Sequence, residues 1–292
     1  MRPGRVTTTH SLPMDIVGQV GRISYAGALA GLGIQQVAYG QFLPALFPTW
    51  PAHLPGLSLW AGLVGGLLLT AGAAIMLNRK AGLLSLVVGG LLLGLVCFGQ
   101  VPYELLVDPY RDHLGSWTNA LTTLALAGGA LTLGGFLYEQ QPDLNQQAPL
   151  PNTIASKASA LGRLCFCTTL VAYGLAHFLY TPYISPLVPA WIPYPTFWTQ
   201  FAGVALLGAG ATIALGIHRQ TSAILLGTMI GLWVIGLHLP RVLTAPAPAY
   251  RGELSSLLEA IAYTGTALVI AASQAGSQRP APERHGQPTL VG

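Results

Sequence analysis

The stretch Leu57–Leu105, LSLWAGLVGGLLLTAGAAIMLNRKAGLLSLVVGGLLLGLVCFGQVPYEL, decides the fold. It holds two apolar runs, Leu57 to Leu77 and Ala81 to Leu105, parted only by Asn78-Arg79-Lys80. About 20 apolar residues in a helix cross ~30 Å of hydrocarbon, and each run is that long. Two such runs joined by a short basic turn predict a helical hairpin in a membrane.

The rest of the chain has the same character. Of 292 residues, 52% are hydrophobic and only 8% are charged, whereas soluble domains carry about 25% charged residues. No Asp, Glu, Lys or Arg lies between Arg22 and Arg79, or between Arg163 and Arg219. Six further spans follow from the apolar runs: Val20 to Ala45, Ser116 to Tyr138, Ala158 to Tyr180, Phe197 to Ile217, Thr221 to Val242 and Glu253 to Ala272. The expected class is an all-α, polytopic membrane protein with eight transmembrane helices. No apolar run precedes Gly18, so the first span is expected to act as an uncleaved anchor. The net charge of +4 is spread over loops and gives no basis for nucleic acid as a partner. The expected partners are the lipid bilayer and other membrane subunits.

Loop charges set the orientation. With eight spans, one side collects Arg2, Arg5, Arg22, Arg79, Lys80, Lys157, Arg163, Arg219, Arg279 and Arg284, and the other only Arg111, Arg241 and Arg251. Positive loops stay inside, so both termini are expected in the cytoplasm.

The chain also repeats itself. Gly33-Ile-Gln-Gln-Val-Ala-Tyr39 aligns with Gly174-Leu-Ala-His-Phe-Leu-Tyr180, and Pro48-Thr-Trp50 with Pro189-Ala-Trp191. Trp60 and Gly72 align with Trp198 and Gly210, Gln100-Val-Pro102 with His238-Leu-Pro240, and Gly115 and Gly128 with Gly252 and Gly265. The expected organisation is a tail (1–17), a first four-helix repeat (18–138), a polar linker (139–157), a second repeat (158–272) and a second tail (273–292). Two halves of four spans insert the same way, as parallel four-helix bundles.

The halves differ in their titratable residues. His177, His238, Glu253 and Glu259 of the second half align with Gln36, Gln100, Ser116 and Thr122 of the first. His177 and His238 are expected at the exoplasmic ends of their spans, with Arg241 three residues past His238. Glu253 is expected to open the last helix, where a carboxylate suits the positive end of the dipole. Glu259 lies deeper, where a carboxylate needs a partner, and His238 and Arg241 are the expected partners. Trp191 and Trp198 fit an aromatic belt at the same interface. Three readings fit this cluster: a structural ion-pair network, a small-molecule or quinone site, and a histidine-ligated metal, haem or pigment.

Other features read as structure. Cys97, Cys165 and Cys167 read as packing residues, and no metal-binding motif is present. Glu104, Asp108, Arg111 and Asp112 read as a solvated loop. The pairs Gly65-Gly66, Gly89-Gly90, Gly128-Gly129 and Gly134-Gly135 read as close helix packing.

The second half, through His177-Phe, Val-Pro-Ala-Trp-Ile-Pro193, Phe197-Trp198, Leu237-His-Leu-Pro-Arg241 and Glu253 to Ala262, resembles the DoxX family of four-helix bacterial membrane proteins. The first half resembles a diverged copy, through Gly33-Ile-Gln-Gln and Pro48-Thr-Trp50. The resemblance implies a redox-associated, quinone-interacting or accessory subunit. A non-enzymatic scaffold of a respiratory or photosynthetic assembly and a small-molecule transporter are the alternatives. The family is named for a subunit of a thiosulfate:quinone oxidoreductase, but no thiosulfate-handling cysteine stands out in this chain.

Overall fold

The computed structural model describes residues 14–48, 55–140 and 151–276. The aligned Thr49 and Trp50, most of the expected linker and both expected tails lie outside these residues, except for their helical edges. Every regular element described is helical. The long helices are α1 (Met14–Tyr39), α2 (Leu57–Met76), α3 (Ala81–Leu106), α4 (Thr118–Glu139), α5 (Asn152–Leu179), α6 (Pro195–Leu215), α7 (Arg219–Thr244) and α8 (Ala247–Gly276). Seven of them, α2 to α8, are long and apolar enough to cross a membrane, which makes the fold that of a multi-pass membrane protein. α1 has the length but falls short in mean hydropathy, because Arg22, Gln35, Gln36 and several glycines interrupt its apolar residues.

α5 starts at Asn152, directly after the extended Pro151 and inside the expected linker. α8 starts at Ala247, so Glu253 does not open it. A carboxylate two turns into a helix gains little from the terminal dipole, so its stabilisation must come from elsewhere.

Turns and kinks follow from local sequence. The α2–α3 turn places Asn78 and Lys80 in left-handed conformations, and the α6–α7 turn does the same with Gly216 and His218. Arg79 donates its N–H to the Ala74 carbonyl at 2.8 Å, and Ile217 donates to Thr212 at 2.9 Å. Proline has no N–H and crowds the preceding helical turn. Ahead of Pro102 and Pro240 the helices widen into π turns, Val96–Gln100 and Val234–His238. There Val101 donates back to the Val96 carbonyl and Leu239 to that of Val234. A wide turn is one of the ways a helix absorbs such a defect.

The helices pack through small residues. α1 lies against α2 and α8, α4 against α3, α5 and α8, α5 against α6, and α7 against α8. A Cβ on Gly33 would stand 2.6 Å from the Gly65 carbonyl oxygen, and one on Gly174 2.8 Å from that of Gly203. A Cβ on Gly21 would meet the Gly265 oxygen at 2.8 Å, and one on Gly162 the Gly128 oxygen at 2.5 Å. α4 is the central helix and packs on every side, so Gly128, Gly129, Gly134 and Gly135 all face close neighbours. The other two glycine pairs are only half as expected: Gly65 and Gly89 pack, while Gly66 and Gly90 meet nothing within 4 Å. Adjacent helical residues point about 100° apart, so a helix with one covered face buries one of them.

Two apolar clusters fill the bundle. One centres on Tyr25, Leu29, Leu32, Leu126 and Leu133, the other on Phe166, Leu170, Leu206, Leu226 and Ile270. Tyr263 touches both. Leu63, Leu67, Leu225, Leu232 and Ile235 point outward, as lipid-facing residues do. Cys165 and Cys167 are buried and unbridged, while Cys97 is exposed.

Gly162→Val is expected to destabilise the protein by about 1–3 kcal/mol, the usual cost of overpacking a closed contact. Gly66→Ala and Gly208→Ala, which face open space, should leave stability unchanged or slightly raised. Thermal unfolding in detergent, followed by tryptophan fluorescence, separates the two groups.

Candidate functional site

At one end of the bundle, α4, α5, α6, α7 and α8 line a half-open cavity of about 490 Å³. The wall is mostly apolar: Leu170, Ala202, Leu206, Met229, Ile230, Leu237 and Ala260. Trp198 and Trp233 form one side, edge to face with ring centroids 6.0 Å apart. Segment 181–188, a short helical strap between α5 and α6, closes the rim with Ile184, Leu187 and Val188.

Polar groups converge on this apolar space. His177, in the last turn of α5, hydrogen-bonds through Nδ1 to the Tyr173 carbonyl at 2.7 Å. A carbonyl only accepts, so Nδ1 carries the hydrogen. In the neutral ring Nε2 is then a bare acceptor. The Tyr173 hydroxyl lies 2.6 Å from the Thr122 hydroxyl and donates toward the Thr118 carbonyl at 3.1 Å. His238 closes the π turn of α7 and lines the cavity, with Nδ1 fully buried and unpartnered. The Tyr263 hydroxyl is likewise buried without a partner. Glu259 lines the cavity and makes no hydrogen bond among the described residues.

The expected cluster therefore splits. Arg241 does not pair with Glu259. Its Nε donates to Glu253 Oε2 at 2.7 Å and its Nη2 donates to Oε1, a bidentate ion pair. Nη1 donates to the Leu187 carbonyl at 3.2 Å. Arg241 thus ties α7 to α8 and to the strap, and this supplies the stabilisation that Glu253 lacks from the helix start. Neither residue lines the cavity. His177, His238 and Glu259 do, and Trp198 lines it beside them. Trp191 stands apart, exposed in the segment before α6.

Several lining residues were not singled out in the sequence. Tyr173 precedes His177 by four residues and Tyr263 follows Glu259 by four, a spacing that puts each pair on one helix face. Thr122 was assigned to the other half, yet α4 packs on α5 and brings it into this cavity. Glu104 was expected in a solvated loop. It is 3% exposed near the end of α3, and its Oε2 has no hydrogen-bond partner.

Two of the aligned polar residues of the first half, Gln36 and Gln100, are occupied by their own chain. Residues 43–46 turn into the bundle, with Leu43 and Leu46 fully buried. Leu43 donates its N–H to Gln36 Oε1 at 3.4 Å, and Gln36 Nε2 donates to the Ala61 carbonyl at 2.9 Å. Gln100 Nε2 donates to the Pro44 carbonyl at 3.4 Å, and Thr123 Oγ1 to that of Ala45 at 2.5 Å. No group of three or more metal-ligating side chains occurs among the described residues.

The fold and site define a multi-pass helical membrane protein with a largely apolar cavity lined mostly by residues of the second half of its chain. Residues 166–252 match a family model described as a domain of unknown function, DUF8561. The match covers less than a third of the chain and spans much of the cavity wall, including His177, Trp198 and His238. No curated protein and no solved structure matches.

Arg241→Met should destabilise the protein, and Glu253→Gln in the same chain should restore part of the loss. A double-mutant thermal cycle is expected to give a coupling of about 1–3 kcal/mol, because the first change alone strands a partly buried carboxylate.

Proposed function

We propose that this chain is a DoxX-like inner-membrane protein built from a duplicated four-helix unit, and that its second-half cavity binds a quinone-type headgroup. In this reading it is a redox-associated or accessory subunit. Both termini are cytoplasmic, and the cavity end faces the exoplasmic side.

One observation carries the reading. Glu259 and His238 line an apolar cavity; the Glu259 carboxyl makes no hydrogen bond among the described residues, and the buried His238 Nδ1 has no protein partner. Each such group costs free energy unless something hydrogen-bonds to it. A structural network would satisfy itself, as Arg241 and Glu253 do. The unpaired set instead fits a flat, amphipathic ring. The apolar body would lie between Trp198, Trp233 and the aliphatic wall, and its oxygens would meet His238, Glu259 and His177. In a redox role, Glu259 and His238 exchange protons with the ring, while Arg241 and Glu253 hold the strap and α8 in place.

The duplication is supported by contacts that recur at fixed offsets. The left-handed turn residues Asn78 and Gly216 lie 138 apart, as do the π turns Val96–Gln100 and Val234–His238. The crossing of α1 on α8 through Gly21 and Gly265 has its counterpart in that of α5 on α4 through Gly162 and Gly128. Such recurrence supports two like units, which in this reading are related by an axis along the membrane normal.

Transport has less support. Toward the opposite end the cavity gives way to packed Phe166, Ile213, Ala223 and Leu226. The scaffold reading draws on the self-paired Arg241–Glu253 bridge alone.

Gently purified protein should carry quinone, read by extraction and chromatography. Glu259→Gln and His238→Phe should each lower the bound fraction about tenfold, as expected for losing one hydrogen bond to a buried group. Cys97→Ser, on an exposed surface, should not. Quinone content and electron-transfer rates unchanged in Glu259→Gln would end the redox reading.

A further inference from the structure

The polarity of the cavity's hydrogen-bonding groups distinguishes the two redox forms of such a ring. We propose that the cavity selects a hydroxyl-bearing aromatic ring, the hydroquinone form, over the carbonyl-only quinone; this rests on the reading that a quinone-type headgroup occupies it.

His177 sets the first requirement. Its Nδ1 hydrogen is committed to the Tyr173 carbonyl at 2.7 Å, so the nitrogen left for a ligand is an acceptor. A group facing it must donate. A quinone oxygen has no hydrogen and would set lone pair against lone pair. Glu259 adds a second acceptor, since a carboxyl group retains an accepting oxygen in either protonation state.

His238 sets the opposite requirement. Its Nδ1 is sealed from solvent and has no partner. The aligned Gln100 donates at this position, to the Pro44 carbonyl, and a ring hydrogen on Nε2 of His238 gives the same polarity toward a ligand oxygen. The cavity therefore presents an acceptor at His177 and a donor at His238. A hydroquinone satisfies both, because each hydroxyl can donate or accept. A quinone satisfies only the second.

The first half carries the same polarity with its occupant in place. Gln36, aligned with His177, accepts from the Leu43 N–H. Gln100, aligned with His238, donates to the Pro44 carbonyl. A donor and an acceptor thus face the two positions there, carried on an apolar segment whose Leu43 and Leu46 are fully buried. The ligand of the second half would take the place of that segment and reproduce its donor and acceptor.

Three probes test this on the full-length protein in nanodiscs: trimethylhydroquinone, trimethylbenzoquinone and the dimethyl ether of the hydroquinone. Binding is followed under anaerobic conditions by quenching of tryptophan fluorescence, since Trp198 and Trp233 line the site. The hydroquinone should bind about tenfold tighter than the other two, the worth of one added hydrogen bond. His177→Leu should remove the difference while leaving quinone affinity in place, and His177→Gln should retain hydroquinone binding. Equal or tighter binding of the quinone in the wild-type protein would overturn the selectivity and leave the quinone-site reading standing. Failure of all three rings to bind would overturn both.

Discussion

Backbone-to-backbone contact between helices is the constraint on which this structure depends. In a bilayer, lipid tails are as apolar as leucine side chains, so burial alone gives helices little reason to associate. Close approach supplies the missing attraction through dispersion. It requires glycine where carbonyls and neighbouring helices meet at under 3 Å from a would-be Cβ. The Gly21–Gly265, Gly33–Gly65, Gly128–Gly162 and Gly174–Gly203 contacts join α1 to α8, α1 to α2, α4 to α5 and α5 to α6. α4 and α8 also meet at the centre, so each half is walled partly by a helix of the other. That is why Thr122 of α4 reaches the cavity of the second half.

Polar residues are then the scarce resource, and the chain uses them in two ways. On the first-half side, Gln36, Gln100 and Thr123 hold residues 43–46 inside the bundle. Gln35 does similar work between α1 and α8, donating to the Arg251 carbonyl at 2.7 Å and accepting from Ser255 at 3.1 Å. On the second-half side, Arg241 and Glu253 are spent on each other, while His238 and Glu259 are not. Buried atoms without a protein partner occur on both sides, at Gln100 Oε1 and Glu104 Oε2 as well as His238 Nδ1, but His238 and Glu259 are the ones that line the cavity.

Much of this was legible in the sequence, and the misses have a common cause. Seven of the expected spans reappear as long apolar helices because length and hydropathy suffice to find them. Glycine pairs marked helix crossings, at α4 in full and at Gly65 and Gly89 in part. Which face of a span turns inward was not legible. In a soluble helix the polar side reveals the buried one, but here lipid and core are both apolar. Periodicity therefore could not tell Gly65 from Gly66, or show that α4 is surrounded. Charge pairing failed for a related reason. Arg241 faced two candidate carboxylates, Glu253 and Glu259, and chain spacing does not reveal which one shares its level in the bundle. Glu104, beside Asp108 in sequence, read as solvated because burial near a helix end depends on how distant segments cover it.

The chain takes different paths beside Gln36 and beside His177, and the two paths part at one residue at the end of a helix. After Tyr39 the chain reverses at Gly40, whose φ of +59° is left-handed and costs glycine little. That reversal sends residues 43–46 into the bundle, where the glutamines receive them. The aligned residue after Tyr180 is Thr181, which is β-branched and strongly disfavoured in that conformation. Instead its hydroxyl donates to the His177 carbonyl at 2.6 Å, and the chain continues as a helical turn, Thr181–Ile184, with Pro182 near its start. The strap stays at the rim, anchored by Arg241 through the Leu187 carbonyl. Ile184 and Leu187, aligned with the buried Leu43 and Leu46, become cavity wall instead of core. The glycine-to-threonine difference thus falls where the two paths part: residues 43–46 bond to Gln36 and Gln100, while segment 181–188 stays at the rim of the cavity that His177 and His238 line.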